Sequence, residues 1–373
     1  MSDGRPSGPR ALYRARVRTR AALRRARPIA RPRAPPCRMS PVFKNDTPTM
    51  DLNPEALRDA INRCWQARTP FLFAIDYELT GGFLIPEPDL ATTEVGFVFP
   101  GGTNKPARET FREARSPGIV QPDPDSYRRL FDGARGALAS KAVQVVNLSE
   151  RTRIAPGVDA RDLFLASRAP YQIYVPGRFV CFSPECFVRI TADGTITTRP
   201  IKGTINAACP DAEHTLMTSP KEIAEHTATV RLVEEELANI AKGVHVARFR
   251  AVETIETRSG TLLQTVSDVS GTLDPADLDR PGDLLFRLLP AGSVTGVPRA
   301  AAHALIQALE TRPRGYYCGI AGYSDGQTLE TAVLIRFIEI EGETLWYRSG
   351  GGVTADSVCD REYAEILDKI YLQ

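Results

Sequence analysis

The chain lacks the side chains on which several large functional classes depend. Its seven cysteines, at 37, 64, 181, 186, 209, 318 and 359, include no CxxC pair, and no Cys or His spacing suits a metal. That sets aside zinc and iron–sulfur frameworks and points to free thiols in a reducing, cytoplasmic setting. No run approaches the roughly eighteen apolar residues of a membrane span, and no apolar segment follows the basic start as in a secretory signal. Charge of one sign is also scarce: with a formal net charge of +2 over 373 residues, the balance implies neither a nucleic-acid nor a membrane partner.

That neutrality covers an asymmetry. A dozen arginines lie in residues 1 to 38 with Asp3 as the only acid, and the remainder is acidic. Residues 1 to 44 are rich in Arg, Ala and Pro and poor in large apolar side chains, so they cannot repay the entropy of ordering. We expect them to be disordered. A basic tail and a transit peptide both fit, but upstream sequence read from a start codon placed too early fits better, because Met39 and Met50 precede the globular pattern. Residues 45 to 373 read as one unit.

Within that unit a helix is expected over residues 53–65, then strands at 71–77, 83–85 and 94–99, a helix near 124–140 and a strand at 142–148. Strands at 179–182 and 187–190 flank Ser183-Pro184-Glu185, and a hairpin around Asp193-Gly194 leads to 196–199. Residues 219–241 read as a long helix with Ser219 and Glu222 as a capping box. Strands follow at 245–256 and 261–267, a helix at 298–310, strands at 317–323, 331–340 and 343–348, and a closing helix at 360–371. With no regular βαβ alternation, this is an α+β pattern of stacked antiparallel sheets with outer helices.

The chemistry gathers around Thr197-Thr-Arg-Pro-Ile-Lys-Gly-Thr204, read as a strand entering a turn with Lys202 at its mouth. If the hairpin forms, Glu185 and Lys202 emerge at one end of it. A desolvated lysine can act as nucleophile and a neighbouring carboxylic acid can protonate a leaving group; a simple ion pair would look the same. Glu222 with Glu225, and Glu362 with Glu365, are spaced by three, so each pair shares a helix face. Four carboxylates together would suit Mg²⁺, although either pair alone is also what a solvated helix carries. Gly350-Gly351-Gly352, read as breaking the last strand, offers backbone N–H groups to an anion, or is a plain turn. Arg336, a lone cation in an apolar strand, wants a carboxylate partner unless it faces water.

Taken together and in order, Pro200 to Thr204, Ser183-Pro184-Glu185, Lys221 to His226, Pro290 to Pro298, Arg314 to Gly319, Ile335-Arg336 and Ser349 to Ser357 resemble the motifs of the chorismate-utilising enzymes. The resemblance covers about residues 65 to 373 and looks strongest to the short form of aminodeoxychorismate synthase component I. It implies an anthranilate-synthase-component-I-like fold and a transferase acting on chorismate in 4-aminobenzoate and folate biosynthesis. Mg²⁺ would be held by Glu225 and Glu365, with Glu222 and Glu362 acting through water. Gly350 and Gly352 would meet the ring carboxylate, Arg336 and Tyr317 the enolpyruvyl carboxylate, and Thr204 would line the substrate site. Lys202 would be the nucleophile, Glu185 the acid and base, and a separate glutamine amidotransferase the source of ammonia.

The resemblance also separates neighbours. Anthranilate synthases carry Ala at the position of Lys202, and isochorismate and salicylate synthases carry a water-activating Lys where Val145 stands. Two departures run the other way: α-helical Val230-Arg231-Leu232 followed by Glu234-Glu235-Glu236-Leu237 is nearer to salicylate-type enzymes, and Arg299 replaces a usual Lys. Another chorismate-converting activity, or a chorismate-binding subunit without turnover, therefore stands as the alternative.

Overall fold

Asn53 accepts a hydrogen bond from the Ala56 amide at 2.9 Å and Pro54 supplies the first helical residue; these caps start α1 (Pro54–Gln66) where the sequence places it. The structure, a computed structural model, describes residues 51–106, 118–257 and 260–370. The disorder expected of residues 1–44 lies outside the described residues. From α1 the chain continues through β1 (Phe71–Ile75), β2 (Gly82–Pro86), β3 (Gly96–Phe99), β4 (Gly102–Thr103), α2 (Pro124–Ala139), β5 (Val145–Arg153) and α3 (Ala160–Ala166). Next come β6 (Tyr171–Val175), β7 (Phe179–Ser183), β8 (Cys186–Thr191), β9 (Thr195–Thr198), β10 (Ile201–Asn206), α4 (Ala212–Thr218) and α5 (Pro220–Ala238). The rest is β11 (Ala241–Thr257), β12 (Gly260–Leu273), α6 (Pro275–Leu278), α7 (Pro281–Leu288), β13 (Gly296–Val297), α8 (Arg299–Leu309), β14 (Ile320–Ser324), β15 (Thr328–Val333), β16 (Phe337–Glu341), β17 (Thr344–Val353) and α9 (Cys359–Asp368).

The strands make two antiparallel sheets. One runs β10-β12-β9-β8-β15-β14-β1-β2 with β11 added on β12, and the other runs β13-β5-β17-β16-β7-β6-β3-β4. They face one another across a common core. Phe97 of the second sheet stacks on Tyr323 of the first at 5.1 Å between ring centroids, and Tyr171 donates to the Glu330 carboxylate at 2.8 Å. The fully buried apolar run Phe71 to Ile75 fills this layer; each such large side chain contributes about 1.5–3 kcal/mol on removal from water. Helices cover the outside: α2, α8 and α9 lie against β5 and β17, and α4 and α5 against β10 and β12. No helix of the described residues is long and apolar enough to cross a membrane.

Two strand pairs cross from sheet to sheet, and this corrects the expected long strand 331–340. β15 belongs to the first sheet and β16 to the second, with Leu334, Ile335 and Arg336 as the crossing. Arg336 takes a left-handed φ of 56°, a backbone turn that a continuous strand could not contain. The β7–β8 step makes the matching crossing through Pro184 and Glu185. A second correction concerns the glycines: β17 runs unbroken through them, because Gly350, Gly351 and Gly352 pair with Ser149, Leu148 and Asn147. Short helices α3, α4 and α7 and strand β6 lie outside the expected pattern, and the long helix ends at Ala238.

Candidate active site

Lys202 stands in a strand and not at the mouth of a turn. Pro200 divides the expected strand, after which β10 resumes pairing with β12, with a bulge between Lys202 and Thr204. Gly203 carries the bulge at φ +81°, and a Cβ there would lie 2.8 Å from Glu222 Oε2 and 3.1 Å from Leu216 Cδ1. Only glycine lets β10 turn this way with the α5 carboxylate packed beside it. We therefore expect Gly203→Ala to destabilise the fold by about 1–2 kcal/mol, read as a lower urea midpoint, and to displace Glu222. Lys202 and Thr204 are exposed.

The peptide of Lys202 is fastened from behind. Its carbonyl accepts from the Thr265 hydroxyl and sits 3.4 Å from His226 Nδ1, while His226 Nε2 lies 2.6 Å from Ser267 Oγ. His226 is fully buried, and burial holds its imidazole below the usual value, with the charges of Arg250 and Lys202 acting the same way. A neutral ring is what such a site favours. The sequence reading counted His226 only as the end of a motif; its position under the lysine depends on β12, some forty residues away.

The hairpin around Asp193-Gly194 forms as expected, with Arg189 opposite Thr197 and Ile190 opposite Ile196. The paired register ends at Arg189 and Thr197, and Glu185 lies beyond it in the β7–β8 crossing. No hydrogen bond joins the Glu185 and Lys202 side chains among the described residues. The Glu185 amide donates to Ser183 Oγ at 3.1 Å and its carbonyl accepts from Val333 at 3.2 Å. The Arg336 crossing is pinned alongside: the Arg336 carbonyl accepts from Phe182 at 3.1 Å, and Leu334 exchanges bonds with Cys318 and Gly319. Thus the two sheet crossings hold Glu185 and Arg336 together, and the loop before β14 brings Tyr317 to them.

Tyr317 is buried, and desolvation drives its phenol well above the ordinary range. Its hydroxyl lies 2.9 Å from where a Cβ on Gly350 would sit. Gly352 is exposed, and Val145 Cγ1 lies 3.4 Å from its corresponding point. So Gly350, Gly352, Tyr317 and Val145 share one face of β17. Gly351 faces the other way, toward Ile366, Lys369 and Glu365 of α9 and its end.

The glutamate helices approach the same region. Partial burial would raise the Glu365 carboxyl, but Lys369 at 2.8 Å, with Lys221 and Lys202 beyond it, holds it below the usual carboxylate range. That places the first turn of α5 and the strand of Lys202 within electrostatic reach of α9. Glu225 pairs with Lys221 at 3.7 Å. Tyr127, buried under α9, has its phenol pushed up by desolvation and by the nearby Glu362 and Glu365 carboxylates. Among the described residues no three His, Cys, Asp or Glu side chains are gathered closely enough to hold a metal ion. The donors are all carboxylate oxygens, which fits a hard cation; Glu365 and Glu225 each pair with a lysine one turn along, Lys369 and Lys221.

Two sequence departures find structural places. Arg299 donates to the Leu288 and Arg287 carbonyls at the end of α7. Glu236, read as part of a solvated run, is half-buried instead, with Oε1 2.9 Å from the Cβ point of Gly292; burial raises its carboxyl and Arg299 opposes this. Among the described residues no two cysteines form a disulfide.

With the geometry in place, comparison with known proteins is informative. The family model for chorismate binding enzymes matches residues 87–372. A Haemophilus influenzae protein named as an uncharacterized PabA-like protein is 38% identical over 317 residues, covering 83% of this chain and 94% of its own length. Aminodeoxychorismate synthase component 1 of Klebsiella aerogenes is 32% identical over 261 residues, 66% of this chain and 56% of that protein. Among solved structures, anthranilate synthase component I of Streptococcus pneumoniae aligns with a TM-score of 0.57 at 27% identity, covering 69% of this chain and 59% of that one. The menaquinone-specific isochorismate synthase MenF of Escherichia coli aligns with 0.66 over 86% and 82%, at 18% identity, a likeness of fold. The two facing antiparallel sheets, the paired crossings and this match across most of the described residues lead to one statement: the chain belongs to the chorismate-binding enzyme family.

Proposed function

We propose that this enzyme converts chorismate and ammonia to 4-amino-4-deoxychorismate and water, a step of 4-aminobenzoate and folate biosynthesis in the cytoplasm. The observation that carries the reading is Lys202, exposed at a glycine bulge, with its peptide fixed by Thr265 and His226 and Glu365 within electrostatic reach. Lys202 Nζ forms a bond to ring C2 as the ring double bonds shift and the C4–oxygen bond breaks; Glu185 gives its proton to the departing hydroxyl, which leaves as water, and takes one back from the new C2 nitrogen. Ammonia then bonds to C4, the C2–nitrogen bond breaks, and Lys202 is restored. Arg336 and Tyr317 hold the enolpyruvyl carboxylate, and the Gly350 and Gly352 amides meet the ring carboxylate. Glu225 and Glu365, with Glu222 and Glu362 behind water, would hold Mg²⁺, which supplies charge neutralisation for the ring carboxylate. Ammonia comes from a glutamine amidotransferase partner.

Val145 supports amination over hydration, since it lies against Gly352 on the substrate face and a valine cannot activate water. The second reading, salicylate, isochorismate or anthranilate formation, rests on the altered α5 segment and the half-buried Glu236. Intact-protein mass spectrometry with chorismate and Mg²⁺ but no ammonia separates them. Amination through Lys202 gives an adduct of chorismate less one water; its absence without ammonia speaks for the second reading. We also expect Glu365→Gln to weaken Mg²⁺ binding by about 10- to 100-fold, measured by calorimetry and by the Mg²⁺ concentration giving half-maximal rate.

A further inference from the structure

Along β5 the side chains of Val145 and Asn147 point to one face, and pairing sets Asn147 opposite Gly352 of β17. Gly350 and Gly352 leave the facing strand without side chains there, so β17 forms a bare floor and Asn147 reaches across it. Its Oδ1 lies 2.9 Å from the point where a Cβ on Gly350 would sit, and the Tyr317 hydroxyl lies 2.9 Å from that same point. A primary amide and a phenol thus converge over the floor assigned above to the ring carboxylate.

The backbone of Asn147 is fixed, while its side chain has no such tie. The Asn147 amide donates to the Thr295 carbonyl at 2.9 Å, and its carbonyl accepts at 2.7 Å from Arg314, itself locked by Glu310. Its Oδ1, in contrast, is buried with no hydrogen-bond partner, although the residue as a whole is only half-buried. Most buried polar atoms in folded chains are satisfied, and one left open on a substrate face points to a ligand. Chorismate brings two carboxylates, which only accept, and one hydroxyl. A carboxylate over Gly350 needs a donor. The two ends of a side-chain amide have one shape, so a half-turn about the Cβ–Cγ bond offers it the NH2 end.

We propose that Asn147 is a further substrate-binding residue, whose Nδ2 donates to the ring carboxylate over the Gly350 and Gly352 floor. This rests on the placement of that carboxylate given above but not on amination, and holds for any product formed from chorismate. A purely steric role needs no amide, because leucine fills a similar space.

Calorimetric titration of the full chain with chorismate, in Mg²⁺ and without ammonia, tests this. Asn147→Leu is expected to weaken chorismate about tenfold, and Asn147→Asp about a hundredfold, since one carboxylate then faces another. Steady-state kinetics with ammonium should show the same losses in KM, with kcat little changed. Asn147→Ala, which only removes atoms from a partly open face, guards against a folding failure, and circular dichroism checks all three. Unchanged affinity in Asn147→Leu and Asn147→Ala overturns the proposal. So does undiminished binding by Asn147→Asp, the result expected if Oδ1 accepts from the substrate hydroxyl, and so does a loss of kcat at constant KM. Absence of chorismate binding by the unaltered chain removes both this assignment and the reading above. A product other than the 4-amino compound, with the affinity losses intact, counts against amination alone and supports Asn147.

Discussion

Replacing Lys202 by alanine is expected to lower the rate of amination by on the order of a thousandfold or more, with chorismate binding nearly unchanged. The carboxylate contacts assigned to Arg336, Tyr317 and the β17 glycines do not involve Lys202, so its removal takes away the nucleophile and leaves the ground-state complex. The fold should tolerate the change, because Lys202 is exposed and its carbonyl, not its side chain, is what Thr265 and His226 hold. Steady-state kinetics with ammonium should show kcat falling at constant KM. A variant with near-normal amination would remove Lys202 from the chemistry.

The largest effect on stability is expected at Glu310. Burial works against the charge of Arg314, yet Glu310 holds its guanidinium well above the usual value. Arg314 and Glu310 side chains are 1% and 7% exposed and joined by two bonds, at 2.6 and 2.9 Å. Glu310 also accepts from the Ser149 amide at 3.1 Å and hydroxyl at 2.9 Å, and Arg314 donates to the Asn147 and Val294 carbonyls. Glu310→Ala leaves a buried cation without its counter-charge, at a cost of about 3–5 kcal/mol. Urea unfolding should show this loss, and Glu310→Leu combined with Arg314→Met should recover part of it, since the pair then leaves no orphan charge. Because Asn147 and Ser149 lie opposite Gly352 and Gly350, the single variant should also lower activity.

What could be read in advance was whatever local chemistry determines. Asn53 and Ser219 announce helix starts through caps that act within three residues, and Asp193-Gly194 announces a hairpin through its own turn preference. The α+β class and the glutamate pairs followed from periodicity. Arg336 defeated that approach because Ala332 to Phe337 is equally apolar on both sides of a sheet crossing, and nothing in an arginine signals a left-handed φ. Gly350 to Gly352 looked like a strand break because glycine disfavours strands alone; β5 supplies the partner that keeps them extended. His226 and Glu236 were misjudged as motif and surface for one reason: their environments are built by β12 and by the turn at Gly292, far away in sequence.

The central claim is amination at C4, and the most direct test is the product itself. Protein begun at Met39, chorismate, Mg²⁺ and excess ¹⁵N-ammonium at alkaline pH, analysed by liquid chromatography and mass spectrometry, should yield ¹⁵N-labelled 4-amino-4-deoxychorismate. Unlabelled salicylate or isochorismate, or labelled anthranilate, in its place would contradict the account and turn attention to the altered α5 segment.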